Sequence, residues 1–211
     1  MKKITYITGI HGNETAPIFA LADMRIPQII ANPRAVLRGV RFEYVDMNKC
    51  FGVQGDKYEY MRASEILSRI PSKSYVVDFH TTSAVTKPFV IIVDLKMLPF
   101  ARKTGIEDIV YMKYNIKDGH ALINYRHGIS IEAGLHDSEE AYHITQSVIK
   151  KLNSSKSSKH YNLYEVYTKI HRPGVYTNFK LYENSFYPVL AGEMAYDFPG
   201  LKARRIIANV R

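Results

Sequence analysis

The tetrapeptide His11-Gly12-Asn13-Glu14 sets an imidazole and a carboxylate three residues apart where a short apolar run should end. Such a pair suits a divalent metal, zinc first among them. The preceding Ile4-Thr5-Tyr6-Ile7-Thr8 reads as a strand, and Gly9 permits a tight exit. Thr15-Ala16-Pro17 followed by Ile18-Phe19-Ala20-Leu21 reads as a helix start, whose first turn would bring residues three apart onto one face. Two ligands make half a zinc site. The third candidate is His80, which closes the strand-like Ser74-Tyr75-Val76-Val77-Asp78-Phe79-His80. Glu132 closes another such run, Gly128-Ile129-Ser130-Ile131-Glu132. Binding groups in parallel α/β sheets gather at the carboxyl ends of strands. His11, Glu14 and His80 are therefore assigned to the ion, with a fourth position left to water, and Glu132 to acid/base work beside it. Taken alone, Glu132 has a plain alternative as a strand-end carboxylate in solvent. Its neighbours Ile129, Ile131 and Ala133-Gly134 leave it little room to reach water, and partial burial raises a carboxyl pKa toward the range that suits proton transfer.

Asp78, two residues before His80, shares its strand face and either accepts the N–H of a ligating imidazole or caps the next loop. Thr81-Thr82-Ser83 either lines the pocket or makes turn hydrogen bonds. A rival cluster, His136, Glu139, Glu140 and His143, reads better as a helix start, with Asp137 or Ser138 as cap and the acids complementing the dipole. His120, His127, His160 and His171 have no partner pattern. Cys50 is the only cysteine, sits between Lys49 and Phe51, and is expected to be a small packed side chain rather than a nucleophile.

The elements that must position these groups alternate between β-rich and helical runs, which argues for an α/β sheet with helices on its faces. Strands are expected at 3–8, 40–46, 75–80, 89–93, 109–113 and 128–132, and helices at 15–24, 58–69, 95–103 and 137–152. Asn153-Ser154-Ser155-Lys156-Ser157-Ser158-Lys159 has nothing apolar to bury and reads as a linker. Beyond it, Tyr- and Val-rich runs broken by Pro173-Gly174, Asn184-Ser185 and Pro199-Gly200 suggest a small antiparallel β unit. The expected units are thus an α/β domain over 1–153 and a β-rich one over 160–211. The 211 residues suffice for a sizeable core, and no apolar stretch is long enough to span a membrane. No signal peptide is expected at the amino terminus. A lone cysteine suits a reducing cytoplasm, the expected location. With 29 Lys and Arg against 20 Asp and Glu, the formal charge is +9, which favours anionic partners. The cations are scattered, and the absence of zinc-finger spacing or an aromatic RNA-binding signature disfavours nucleic acid.

Five segments in order carry a resemblance: Gly9-Ile10-His11-Gly12-Asn13-Glu14; Asn32-Pro33-Arg34-Ala35-Val36; Arg41 through Asp46-Met47-Asn48-Lys49-Cys50-Phe51; Asp78-Phe79-His80-Thr81-Thr82; and Gly128 through Glu132-Ala133-Gly134. They resemble the aspartoacylase and succinylglutamate desuccinylase family, densely from 7 to 51 and sparsely between 84 and 127. The resemblance implies a zinc carboxypeptidase-like α/β fold, with a mixed, mostly parallel sheet flanked by helices and a small C-terminal β unit. It also implies one Zn2+ per chain, held by His11, Glu14 and His80, and hydrolysis of the amide of a small anionic N-acyl amino acid. By the same resemblance Glu132 is the general base and Arg41 polarises the scissile carbonyl. Asn48 and Lys49 match an Asn-Arg pair that binds the substrate carboxylate. Gly192-Glu193-Met194-Ala195-Tyr196 is similar to a C-terminal segment whose Glu and Tyr approach the substrate, which makes Tyr196 a substrate contact. Two departures stand out. Lys49 replaces a planar fork with a point charge. A further family arginine has no aligned match, and Arg126, six residues before Glu132, is the nearest candidate. A metallocarboxypeptidase acting on peptides and a non-catalytic metal-containing binding protein are the competing readings. Oligomeric state, including a homo-oligomer, stays open.

Overall fold

In the computed structural model, which describes residues 3–113, 119–136, 138–154, 157–158 and 160–206, the amino-terminal apolar run forms β1 (Ile4–Thr8). Along the chain follow α1 (Ala16–Asp23), β2 (Gln28–Ile30), α2 (Pro33–Arg38), α3 (Tyr58–Arg69), β3 (Tyr75–Thr82), β4 (Phe89–Ile92) and α4 (Leu98–Ala101). Then come β5 (Asp108–Tyr111), α5 (Leu122–Tyr125), β6 (Gly128–Leu135), α6 (Glu139–Leu152), β7 (Asn162–Lys169), β8 (Tyr187–Val189) and β9 (Leu201–Ile206). The strands make one sheet in the order β2-β1-β3-β6-β4-β5-β7-β9-β8. Pairings are parallel except β4 with β6, β7 with β9, and β8 with β9. The expected mixed, mostly parallel α/β sheet is what the chain forms.

Residue alternation along the strands decides what each face of the sheet buries. Val77, Phe79, Ile129, Ile131, Val90 and Ile92 pack toward Leu21 of α1 and Val148 and Ile149 of α6. On the opposite face Ile7 and Val76 meet Ala63 and Ile66 of α3, with Met47, Cys50 and Phe51 beside them. α6 starts where its cap predicts: Ser138 accepts from the Ala141 N–H, with Glu139 and Glu140 in the first turn and Lys150 and Lys151 in the last. Asp137 lies outside the described residues.

Several expectations fail locally, each for a visible reason. Residues 40–46 are not a strand, because the N–H groups of Glu43 and Tyr44 donate to the buried carboxylate of Glu59 on α3 (2.9 and 3.2 Å) instead of to a sheet neighbour. The expected helix at 95–103 is broken into short turns around the four-residue α4, which has Pro99 in its first turn. β2, too short to stand out in the sequence, pairs in parallel with β1. The tail beyond the 153–159 stretch is antiparallel within itself, as expected. Its first strand β7 nevertheless pairs in parallel with β5, so the tail continues the same sheet.

α2 shapes the loop after β1. Asn32 caps it by accepting from Ala35 N, and Gly39 ends it in the left-handed region with φ of 62°. Gly12 lies so close that a Cβ built there would run into the backbone of Ala35 and Val36. Gly12→Ala is therefore expected to cost about 1–3 kcal/mol through overpacking against rigid backbone, read as a lowered urea midpoint with unchanged slope.

Candidate metal centre

β1, β3 and β6 are adjacent and parallel, so their carboxyl ends lie side by side. Gly9, with φ of 62°, turns the chain out of β1. Glu14 N then donates to the His11 carbonyl (3.2 Å), so a turn ahead of α1, rather than the helix itself, brings His11 and Glu14 together. His80 lies near the end of β3 and is paired in register with Glu132 on β6, which sets the two side chains on one face.

Glu14 stands between the imidazoles. Its Oε1 is 2.6 Å from His11 Nδ1, and its Oε2 is 2.9 Å from His80 Nδ1. The outer ring nitrogens meet two further carboxylates: Asp46 Oδ1 lies 3.1 Å from His11 Nε2, and Asp78 Oδ2 lies 2.9 Å from His80 Nε2. One ligand atom from each of His11, Glu14 and His80 falls within 4.8 Å of the others, and all three residues are buried. The donor set fits a divalent ion electrostatically as well as geometrically. If both imidazoles are neutral and donate outward to Asp46 and Asp78, both Nδ1 lone pairs face the Glu14 carboxylate, and only a cation between them makes that arrangement favourable. Burial works against charge on Glu14, yet the two imidazoles hold its carboxyl well below the usual range. Burial likewise opposes charge on His80, but Asp78 and Glu14 hold its pKa well above the ordinary value. A proton on His80 thus takes the cation's part when no metal is present, and metal must displace it.

The remaining groups surround this triad. Arg41 reaches Glu14 Oε1 (3.4 Å) and Asp46 Oδ2 (3.5 Å). Glu132 is half-buried. Burial pushes its carboxyl up to about 8; His80 and Arg41 oppose the shift, while Glu14 and Glu193 add to it. Tyr196 packs over the Glu132 side, and burial followed by the Glu132 charge raises its hydroxyl far above the usual value, which keeps it a protonated donor. Asn48, His80, Ser130, Glu132 and Tyr196 line one cavity of about 60 Å³. Asn48 is buried, and its Oδ1 has no protein partner.

Two expected members stay outside. Lys49 is exposed and does not line the cavity. Arg126 lies just before the amino end of β6, six residues ahead of Glu132, where its guanidinium donates to the Leu67 and Tyr125 carbonyls. The rival cluster does not assemble: His136 Nδ1 bonds Thr81 Oγ1 (2.6 Å), and among the described residues no second group of three ligands forms. Burial pushes the Cys50 thiol up to about 12, with Glu59 and Asp46 adding, which leaves it an inert packed side chain. Asp46 has no role assigned from sequence, and Glu193 is expected only, through the resemblance, to approach the substrate. Asp46 betrays itself only as the cap of the turn Met47–Lys49, accepting from Asn48 N. Glu193 accepts from Ser83 N (3.1 Å), Ser83 Oγ (2.7 Å) and Ala84 N (3.3 Å), tying the tail to the loop after His80.

The succinylglutamate desuccinylase/aspartoacylase catalytic domain matches residues 1–134, more than half of the chain. The chain belongs to this family. Within it, a probable aspartoacylase from Prochlorococcus marinus is 25% identical over 158 residues, covering 64% of this chain and 54% of that protein. The chain thus spans about half the length of that relative. The solved succinylglutamate desuccinylase from Chromobacterium violaceum superposes with a TM-score of 0.76 at 16% identity, covering 99% of this chain and 86% of that one. Murine aminoacylase 3 gives 0.69 at 15%, covering 97% and 95%. At such identities these two likenesses speak for the fold alone. The His11, Glu14 and His80 triad is consistent with the zinc site typical of the family. No helix among the described residues is long and apolar enough to cross a membrane.

If Asp46 and Asp78 orient the imidazoles as drawn, Asp46→Asn and Asp78→Asn each weaken zinc binding by about 10–100-fold. Competition with a chromophoric chelator measures this, with the melting temperature of the metal-free protein as control.

Proposed function

We propose that the chain is a zinc-dependent hydrolase that cleaves the amide bond of a small N-acyl amino acid, with Glu132 as its base. The observation that supports this reading is the register of His80 with Glu132 in the carboxyl halves of adjacent strands, which sets a carboxylate beside His11, Glu14 and His80. Zinc held by His11, Glu14 and His80 supplies Lewis acidity toward a water and toward the scissile carbonyl. Glu132, ionised, takes a proton from the attacking water as its oxygen bonds the carbonyl carbon. It returns that proton to the amide nitrogen as the C–N bond breaks, giving a carboxylic acid and a free amine. The guanidinium of Arg41 offers hydrogen bonds to the oxygen that becomes negative, a contribution worth roughly 3 kcal/mol per donor at such sites. Asn48, with an amide oxygen lacking a protein partner, is suited to hold the substrate, and the protonated Tyr196 hydroxyl closes the site from the tail side.

The same donor set would serve a metallocarboxypeptidase, and access separates the two readings. The tail leaves a cavity of about 60 Å³, lined in part by Leu190 and Tyr196, which suits a small substrate better than a peptide. An intact Glu132 argues against a non-catalytic binding protein.

Glu132→Gln is expected to lower kcat by about 10²–10⁴-fold while one zinc per chain stays bound. Near wild-type turnover in that variant would remove Glu132 from its role. A second expectation concerns pH. Glu132 acts as a base only when ionised, so kcat/KM falls as pH drops through its pKa. A bound cation favours the carboxylate. In the metal-free protein the group should titrate near 8 by carboxyl carbon-13 NMR, and zinc loading should move that titration to lower pH.

A further inference from the structure

The cavity continues past Glu132 along the sheet. Phe89 and Ile91 on β4 pair in antiparallel register with Glu132 and Ser130 on β6, so Ile91 and Ser130 share the face that carries His80 and Glu132. From there the walls are Ile91, Val93, Met112, Ile123 and Leu190, all buried except the half-buried Val93. Among the described residues, Ser130 and Asn124 are the polar groups that line the cavity besides Asn48, His80, Glu132 and Tyr196. No Lys or Arg lines the cavity among the described residues.

Among the described residues, none of the three cations expected at the site lines this part of the cavity. Arg41 is held between Glu14 and Asp46. Lys49 is exposed. Arg126 is fixed by two backbone carbonyls at the other end of β6.

We propose that this site, on the amide-hydrolase reading above, takes N-acyl amino acids whose buried end is apolar and uncharged, rather than dicarboxylic substrates. A carboxylate pushed against Ile91, Met112 and Ile123 loses its water and gains no cation, and it faces the charge of Glu132 across the cavity. A short aliphatic group there gives up only water contact. The volume agrees: a water needs roughly 10–15 Å³ of such space, so about 60 Å³ admits a short chain and little more. The one carboxylate that every N-acyl amino acid carries is left to the polar part of the lining, with Asn48 and Tyr196. The apolar end is either the acyl chain or the amino acid side chain, and both have the same chemistry toward this floor.

The test uses the zinc-loaded full chain. The substrates are N-acetyl-L-leucine, N-hexanoylglycine, N-acetyl-L-aspartate and N-succinyl-L-glutamate. Calorimetric binding of the products leucine, hexanoate, aspartate and succinate runs in parallel. The expected result is a kcat/KM at least tenfold higher for an apolar substrate than for either acidic one, equivalent to about 1.4 kcal/mol, with binding in the same order. The leucine and hexanoyl arms tell which end of the substrate enters the cavity. Val93→Arg, at a half-buried wall position, should shrink that preference tenfold or more by lowering KM for the acidic substrates. Preference of the wild-type protein for the acidic compounds, or no binding of any apolar product, overturns the inference. Apolar preference in binding with no turnover on any amide supports it and removes the hydrolase reading instead.

Discussion

The site depends on one unfavourable arrangement, a Glu14 carboxylate buried between two imidazoles whose outer nitrogens are already taken by Asp46 and Asp78. With neutral rings, the carboxylates of Glu14, Asp46 and Asp78 have the one guanidinium of Arg41, on Glu14 and Asp46, as their cation, an excess of two negative charges around the buried Glu14 and Asp78. Such an excess is costly in a low dielectric unless a cation enters. A divalent ion offsets it fully, whereas a proton on His80 offsets half. The rest of the design can be read as keeping these groups from relaxing away from one another.

Register and loop anchoring do that work. β3 carries Asp78 and His80 on one face, and β6 adds Ser130, whose hydroxyl donates to Asp78 Oδ2 (3.3 Å), so the imidazole and its partner sit on regular sheet. The loop holding Arg41 and Asp46 has no sheet to lean on. It is pinned from two sides: Gly12 N donates to the Arg41 carbonyl (3.1 Å), and Glu59 of α3 collects the N–H groups of Glu43 and Tyr44. Glu59 is fully buried, and its packing on α3 thereby fixes a stretch of chain whose side chains act several residues further along. A carboxylate that accepts backbone N–H groups in this way replaces a missing neighbouring strand.

That substitution explains which parts of the site could be read from residues alone. His11, Glu14, His80 and Glu132 were visible because each follows or closes an apolar run, and strand ends are where a parallel sheet presents its chemistry. Asp78 was visible through the two-residue period. Asp46 was hidden, since its value lies in a contact with His11 across 35 residues that no local pattern announces. Residues 40–46 show strand-like alternation, but their backbone partners come from a helix side chain. Arg126 is close to Glu132 in sequence alone. A strand rises about 3.3 Å per residue, so residues that close along β6 can still stand at opposite ends of the sheet, and the helix-end carbonyl of Leu67 takes the guanidinium there.

The tail shows how a segment with little chemistry of its own can set what the site accepts. β7 joins the sheet beside β5, and Leu190 and Val189 pack with Ile91, Met112, Ile123 and Tyr164 in one apolar cluster. That cluster is both the tail's attachment and part of the cavity wall, so residues that hold the tail down also make the lining beside Glu132 apolar. Glu193 adds a second tie through Ser83 and Ala84, just beyond His80, and Tyr196 follows it by three residues. Tyr196 stacks on Phe198 (5.0 Å between centroids) and packs at the edge of the same cluster. Widening the cavity for a larger or acidic substrate would therefore loosen the tail as well. In this chain substrate range and the attachment of the last strands are a single packing problem, which is why replacements at the half-buried Val93 should alter preference with less damage than replacements at the buried Ile91 or Ile123.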